Sequence, residues 1–227
     1  MTQNAQAWSF LIPPVDTMPA LDTLLPFTGL MILLALSPGP DNLFVLMQSV
    51  VHGKTAGLWV TLGLCTGLVG HTLAVAFGLA LVLKTSPWLF SAIQTLGAVY
   101  LLYLAWQSYR AANCHVSQPL PKLSAGQLYR RGVVMNITNP KVTLFFLAFL
   151  PQFVARETEH FTSQILVLGG LAILATLLVF GSIALFAGAL KILNQSDSAQ
   201  RRLHLITAGL LALLGLKLFF DLAQSLY

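Results

Sequence analysis

Charge is what this chain has least of: 12 Lys plus Arg and 7 Asp plus Glu among 227 residues, 8% in all, against about 25% in a typical soluble domain. That shortage excludes an ordinary soluble protein. With 56% hydrophobic residues and a mean hydropathy of +0.79, the chain has more apolar surface than a 24.5 kDa globule can bury, so lipid must cover the rest. Cysteine is scarce too. Cys65 in an apolar run and Cys114 in a polar stretch form neither a disulfide framework nor a metal-ligand cluster. The histidines, at 52, 71, 115, 160 and 204, are scattered, and there is no H-E-x-x-H or G-x-S-x-G. No enzyme, metal or cofactor is therefore expected. The net charge of +5 does not point to nucleic acid, because the basic residues sit in the gaps between apolar runs.

What is present is length without charge. Runs free of Asp, Glu, Lys and Arg extend over 55–83, 85–109 and 160–190, each longer than the roughly 20 residues a helix needs to cross a bilayer. The pattern predicts an all-α integral membrane protein with six elements, near 24–51, 55–83, 87–109, 127–155, 162–191 and 203–225. The stretch from Arg110 to Arg131, with Pro119 and Pro121, separates two halves of three elements: a first repeat over 23–110, a cytoplasmic linker over 111–126 and a second repeat over 127–227. Residues 1–22 contain Pro13, Pro14 and Pro19 and no basic n-region, so they read as a poorly ordered extension rather than a signal peptide. Lys and Arg divide unevenly between alternate sides: Lys54, Arg110, Lys122, Arg130, Arg131, Lys191, Arg201 and Arg202 on one, Lys84, Arg156 and Lys217 on the other. Basic connections stay in the cytoplasm, which predicts that both termini are outside.

Two elements carry matched interruptions. The first is broken by Ser37-Pro38-Gly39-Pro40-Asp41-Asn42 and the fourth by Asn136-Ile137-Thr138-Asn139-Pro140-Lys141, each at the start of its half. Proline removes a backbone donor and biases the residue before it away from helix, so each motif should stop one helix and restart another. Backbone groups freed inside a membrane must be satisfied by protein or by a water-filled cavity. Paired Pro/Gly interruptions in two halves point to a transporter with internal repeats, and three spans per half make those repeats inverted. The plainer reading stands beside this one: Ser37 and Asn139 are good helix caps, and proline kinks also occur in membrane helices that bind nothing.

These motifs, with Gly63-x-x-x-Gly67-x-x-x-His71 and with Phe149-Leu-Pro-Gln-Phe153, resemble the LysE/RhtB superfamily of bacterial amino-acid exporters over residues 24–226. The resemblance implies a multi-pass protein of the bacterial inner membrane that exports amino acids or close derivatives, driven by protons. It makes Ser37, Pro38, Gly39, Pro40, Asp41, Asn42, Asn136, Asn139, Pro140 and Lys141 the candidate substrate site. A homodimer is a candidate assembly. Which amino acid is carried is not written in either break, but neither holds an extra acidic residue for a second ammonium, which favours neutral substrates such as threonine or homoserine.

Asp41 begins a restarted half-helix, where free amides favour an anion; it serves as a local cap, as the partner of a substrate ammonium, or as the carrier of a coupling proton. Lys141 is its counterpart, suited to holding a carboxylate or to pairing with Asp41. His71 shares one helical face with Gly63 and Gly67, small residues that let another helix approach. It is a second candidate for proton coupling, or an ordinary buried hydrogen-bonding group. Gln48 and Gln152 lie on the faces of Asp41 and Lys141 and extend the polar path or merely join helices. The alternatives in function are a passive small-solute channel and an exporter of another small solute or cation on the same fold.

Overall fold

The computed structural model describes residues 18–37, 39–79, 87–111, 122–154, 160–188 and 197–224. Residues 1–17 of the expected extension over 1–22, Pro38 and most of the expected linker lie outside the described residues. The described residues are all-helical, with no strand among them. In chain order the helices are α1 (Leu21–Leu36), α2 (Pro40–His52), α3 (Lys54–Leu73), α4 (Pro87–Ala111), α5 (Ala125–Ile137), α6 (Pro140–Leu144), α7 (Phe161–Leu185) and α8 (Asp197–Gln224). A π-helical turn, Ala74–Leu79, extends α3, and α6 runs on through a second, Phe145–Phe149, and a 3-10 turn, Leu150–Phe153.

Local chemistry accounts for the boundaries. Pro40 and Pro140 each open a helix, where proline's missing N–H is no loss. Gly53 turns the chain between α2 and α3 at φ 89°, a conformation that side chains other than glycine's resist. Ser124 caps α5 in a reciprocal capping box: its Oγ accepts from the Gln127 amide, and Gln127 Oε1 accepts from the Ser124 amide. This cap starts α5 at Ala125, so the last two residues expected in the linker are helical. Likewise α1 begins at Leu21, inside the expected extension, and α8 begins at Asp197, which puts Arg201 and Arg202 on a helix rather than in a connection.

Among the described residues three stretches are long and apolar enough to cross a bilayer, Lys54–Gly78, Phe161–Leu185 and His204–Gln224. There are five when each bent pair counts as one span: α1 with α2, bent by 61°, and Ala125–Ile137 with Pro140–Phe153, bent by 49°. Lipid explains the outward face. Leu178, Phe186, Leu213, Leu216 and Phe220 are all at least 60% exposed, which water would penalise and hydrocarbon does not. The main core gathers Phe27, Phe145, Phe149 and Phe153, whose rings meet in tilted and edge-on pairs, with Leu150, Ile165 and Leu218. Here α1 packs on α7, α3 lies between α5 and α7, and α4 runs along α8. The protein is a multi-pass helical membrane protein.

Candidate functional site

The two breaks meet. Pro38 and Pro40 have no N–H, so the carbonyls of Leu34 and Leu36 lose the donors that a continuous helix would supply four residues on. The last turn of α1 is completed by side chains instead. The Asn42 amide donates to the Ala35 carbonyl at 2.7 Å, and the Lys141 ammonium, from the other half of the chain, donates to the Leu34 carbonyl at 3.4 Å. The lysine ends beside Gly39: a Cβ there would stand 3.6 Å from Lys141 Nζ, an ordinary contact.

The second break has the same logic. Asn139 caps α6, its Oδ1 accepting from the Lys141 amide at 3.0 Å. Its Nδ2 donates to Asp41 Oδ2 at 2.8 Å, so one amide side chain serves as cap at one end and as bridge to the other break. A hydrogen bond to a charged carboxylate is among the stronger kinds, about 1.5–3 kcal/mol. Asp41 therefore pairs with Asn139 rather than with Lys141. Among the described residues the ion pair formed is Lys217 with Asp221, on the outer face of α8.

Satisfaction is incomplete at the breaks, as it is at Gln48, Gln152 and His204. Asp41 Oδ1, Asn136 Oδ1 and the Ser37 hydroxyl are buried without a hydrogen-bond partner, a costly condition for polar atoms. Asp41, Asn42, Asn136 and Lys141 line a narrow cavity together with Thr176 and apolar residues including Phe145, Phe146 and Phe180. Its volume is about 40 Å³, where a single water needs about 10–15 Å³. A few waters fit; an amino acid does not without movement of the walls. Asn139 and Ser37 are not among the lining residues, nor are Gly39, Pro40 and Pro140, which shape the breaks; Pro38 is outside the described residues.

His71 approaches from α3. Its Nε2–H donates to the Asn136 carbonyl at 3.3 Å, and its ring lies 5.7 Å from that of Phe146. A carbonyl only accepts, so the proton of the contact sits on Nε2. Gly67 provides the space beside it, since a Cβ there would lie 2.5 Å from Asn136 Oδ1, and Gly63 lets the backbones of α3 and α5 touch. Gln48 and Gln152 are elsewhere: Gln48 Oε1 accepts from His52 Nδ1 at 2.9 Å, and Gln152 donates to the Ala148 carbonyl. Neither lines the cavity. Thr176 and the phenylalanines do, and the only sign of Thr176 in the sequence is a hydroxyl in the middle of an apolar run.

A profile of the LysE type translocator family matches residues 32–222, a range that takes in both breaks. The chain is 30% identical over 184 residues to the homoserine/homoserine lactone efflux protein of Salmonella typhimurium (strain LT2), covering 81% of this chain and 89% of that protein. The protein of the same description from Salmonella typhi matches at the same identity and coverage. An uncharacterized membrane protein of Bacillus subtilis (strain 168), YrhP, is 27% identical over 207 residues, 87% of this chain and 98% of that one. No solved structure matches the chain significantly. Two proline-broken helices joined by Asp41 and Asn139, on a helical membrane scaffold matched along most of its length, place the chain in the LysE type translocator family.

Proposed function

We propose that this protein exports amino acids across the bacterial inner membrane by proton antiport, with neutral amino acids or close derivatives such as threonine and homoserine as cargo. One observation carries the reading. On a single cavity between two helix breaks, Asp41 and Asn136 each keep a buried oxygen without a donor, while Lys141 forms no salt bridge among the described residues. An α-amino acid is the complement of that set. Its ammonium supplies donors to Asp41 and Asn136; its carboxylate meets Lys141 and the free first-turn amides of α2. The efflux of homoserine and its lactone by two relatives supports the same class of cargo.

Asp41 carries the proton in this scheme. Protonation removes its negative charge and with it the attraction for a substrate ammonium, so proton entry and substrate release compete at one carboxyl group. His71 is the second proton site, reaching Asp41's neighbourhood through the Asn136 carbonyl. Asn139, Pro140, Ser37, Pro38, Gly39 and Pro40 keep the breaks open.

The architecture of the proposal is six spans in two inverted repeats, 23–110 and 127–227, with both termini periplasmic and the linker cytoplasmic. The sixth span is α4, 25 residues long, or about 37 Å at 1.5 Å per residue, with Trp88, Tyr103, Trp106 and Tyr109 exposed toward its ends. Helix pairing supports the repeats: α1 of the first half packs on α7 of the second, α5 of the second packs on α3 of the first, and the third helices, α4 and α8, pack on each other.

The test is transport into or out of proteoliposomes with an imposed pH gradient. The expected result is uphill movement of a neutral amino acid that a protonophore abolishes. Asp41→Asn, at normal expression, should lose gradient-driven accumulation. Undiminished proton-driven transport by that variant would remove Asp41 as the carrier, and downhill flux indifferent to the gradient would mean a channel.

A further inference from the structure

The cavity has one polar side chain that the scheme above leaves without a task. Thr176 lies midway along α7, is 5% exposed, and lines the cavity with Phe180 one turn further on. A threonine inside a membrane helix ordinarily satisfies its hydroxyl on the carbonyl one turn back, and Thr61, Thr72 and Thr143 do so at 2.8–3.1 Å. Thr176 makes no hydrogen bond among the described residues. It is the hydroxyl of a largely buried residue on the cavity wall, able to donate and to accept.

It comes from a different element than the ionic groups: Asp41 and Asn136 flank the breaks in the first and fourth elements, with Lys141 next to the second break, whereas Thr176 comes from the fifth. The cavity thus offers a hydroxyl from α7 in addition to the polar and charged groups of the two breaks.

We infer that Thr176 is the specificity-determining residue of the site: its hydroxyl hydrogen-bonds a hydroxyl on the side chain of the transported amino acid and so favours hydroxylated substrates over apolar isosteres of the same size. The inference rests on the amino-acid reading above. Its physical basis is an asymmetry. A pocket that offers a buried hydroxyl loses a hydrogen bond when a methyl group arrives in place of an O–H, and no packing gain offsets that, because the two groups are alike in volume.

The experiment uses the purified full-length protein in proteoliposomes with two isosteric pairs, threonine against valine and homoserine against norvaline. Wild type should prefer the hydroxylated member of at least one pair by about tenfold in kcat/KM, the effect of one neutral hydrogen bond with its desolvation. Thr176→Val keeps the shape of the side chain and should bring that ratio close to one, while Thr176→Ser, which keeps the hydroxyl, should retain most of it. Three outcomes overturn the inference while leaving the amino-acid reading intact: a wild type that transports both members of each pair alike, a Thr176→Val ratio equal to that of wild type, or an equal loss for both members, which would mark a purely structural role. If Thr176→Val yields too little protein, the wild-type ratio and its retention in Thr176→Ser decide. Failure of wild type to move any of the four compounds would defeat the amino-acid reading, and this inference with it.

Discussion

Asn139 does at residue scale what the proline motifs do at the scale of the chain. Cap and bridge use opposite ends of one amide, so losing the side chain should remove a cap and leave Asp41 Oδ2 unpaired as well. Asn139→Ala is expected to destabilise the protein by about 3 kcal/mol, the sum of a cap and a hydrogen bond to a buried charge. Asn139→Ser, which keeps a capping oxygen but not the reach to Asp41, should recover about 1 kcal/mol of that. Thermal unfolding in detergent reads both. The capping half of this role is legible in the sequence, since Asn before Pro is a familiar way to open a helix. The bridging half is not, because the partner is 98 positions away and local chemistry says nothing about it. The same distance hid the lysine. Charge alone allowed Lys141 to pair with Asp41, but Pro38 leaves an unfilled carbonyl at Leu34 that the ammonium takes instead.

Among the elements, α3 and α5 approach backbone to backbone. A Cβ at Gly63 would stand 2.1 Å from the Tyr129 carbonyl oxygen, and one at Gly132 would stand 2.3 Å from that of Val60; both obstacles are backbone and cannot swing aside. Gly63→Ala should therefore push the helices apart and cost about 3 kcal/mol, seen as a lowered melting temperature and as loss of transport through the displaced Asn136. Gly70→Ala is the control one face round on the same helix. Nothing lies within 4 Å of a Cβ there, and gaining alanine's helix propensity should be neutral or stabilising by up to about 1 kcal/mol. The Gly-x-x-x-Gly spacing announced a close crossing, though not its partner. The π-helical turns at Ala74–Leu79 and Phe145–Phe149 gave no warning at all, since a continuous apolar run hides the one-residue slip that such a turn introduces. Thr176 was hidden in a similar way: its place on the cavity wall, a fact of three dimensions, sets it apart from other threonines in spans.

For the whole molecule the decisive question is parity. With α4 as a span the number is six and both ends of the chain emerge on one side; without it the number is five and they emerge on opposite sides. Reporter fusions after Tyr227 and at the amino terminus should both report the periplasm, while cysteines introduced at Lys54 and Lys122 should label only from the cytoplasm. Opposite locations for the two ends would remove α4 as a span and the inverted repeats with it. The membrane class was legible from composition because hydrophobic burial and lipid solvation leave the same imprint on any apolar run. Where the spans bend was legible from proline. How the bent pieces lean on one another was not, since the angles of 61° and 49° depend on packing between halves.

The cavity between the breaks is smaller than the solute it is proposed to carry. Loading must therefore be an act of deformation: the solute and the parting of the walls arrive together, and neither persists without the other. In an energised membrane this gives an exporter insulation. While this cavity stays too small for the solute, it offers ions and metabolites no wide path back, so the gradient that drives export is drawn down chiefly when cargo is aboard. Mutations that enlarge the hollow, such as Phe180→Ala, should accordingly make the host leakier to protons before they make it a better exporter, a change that a pH-sensitive dye sealed inside proteoliposomes would register.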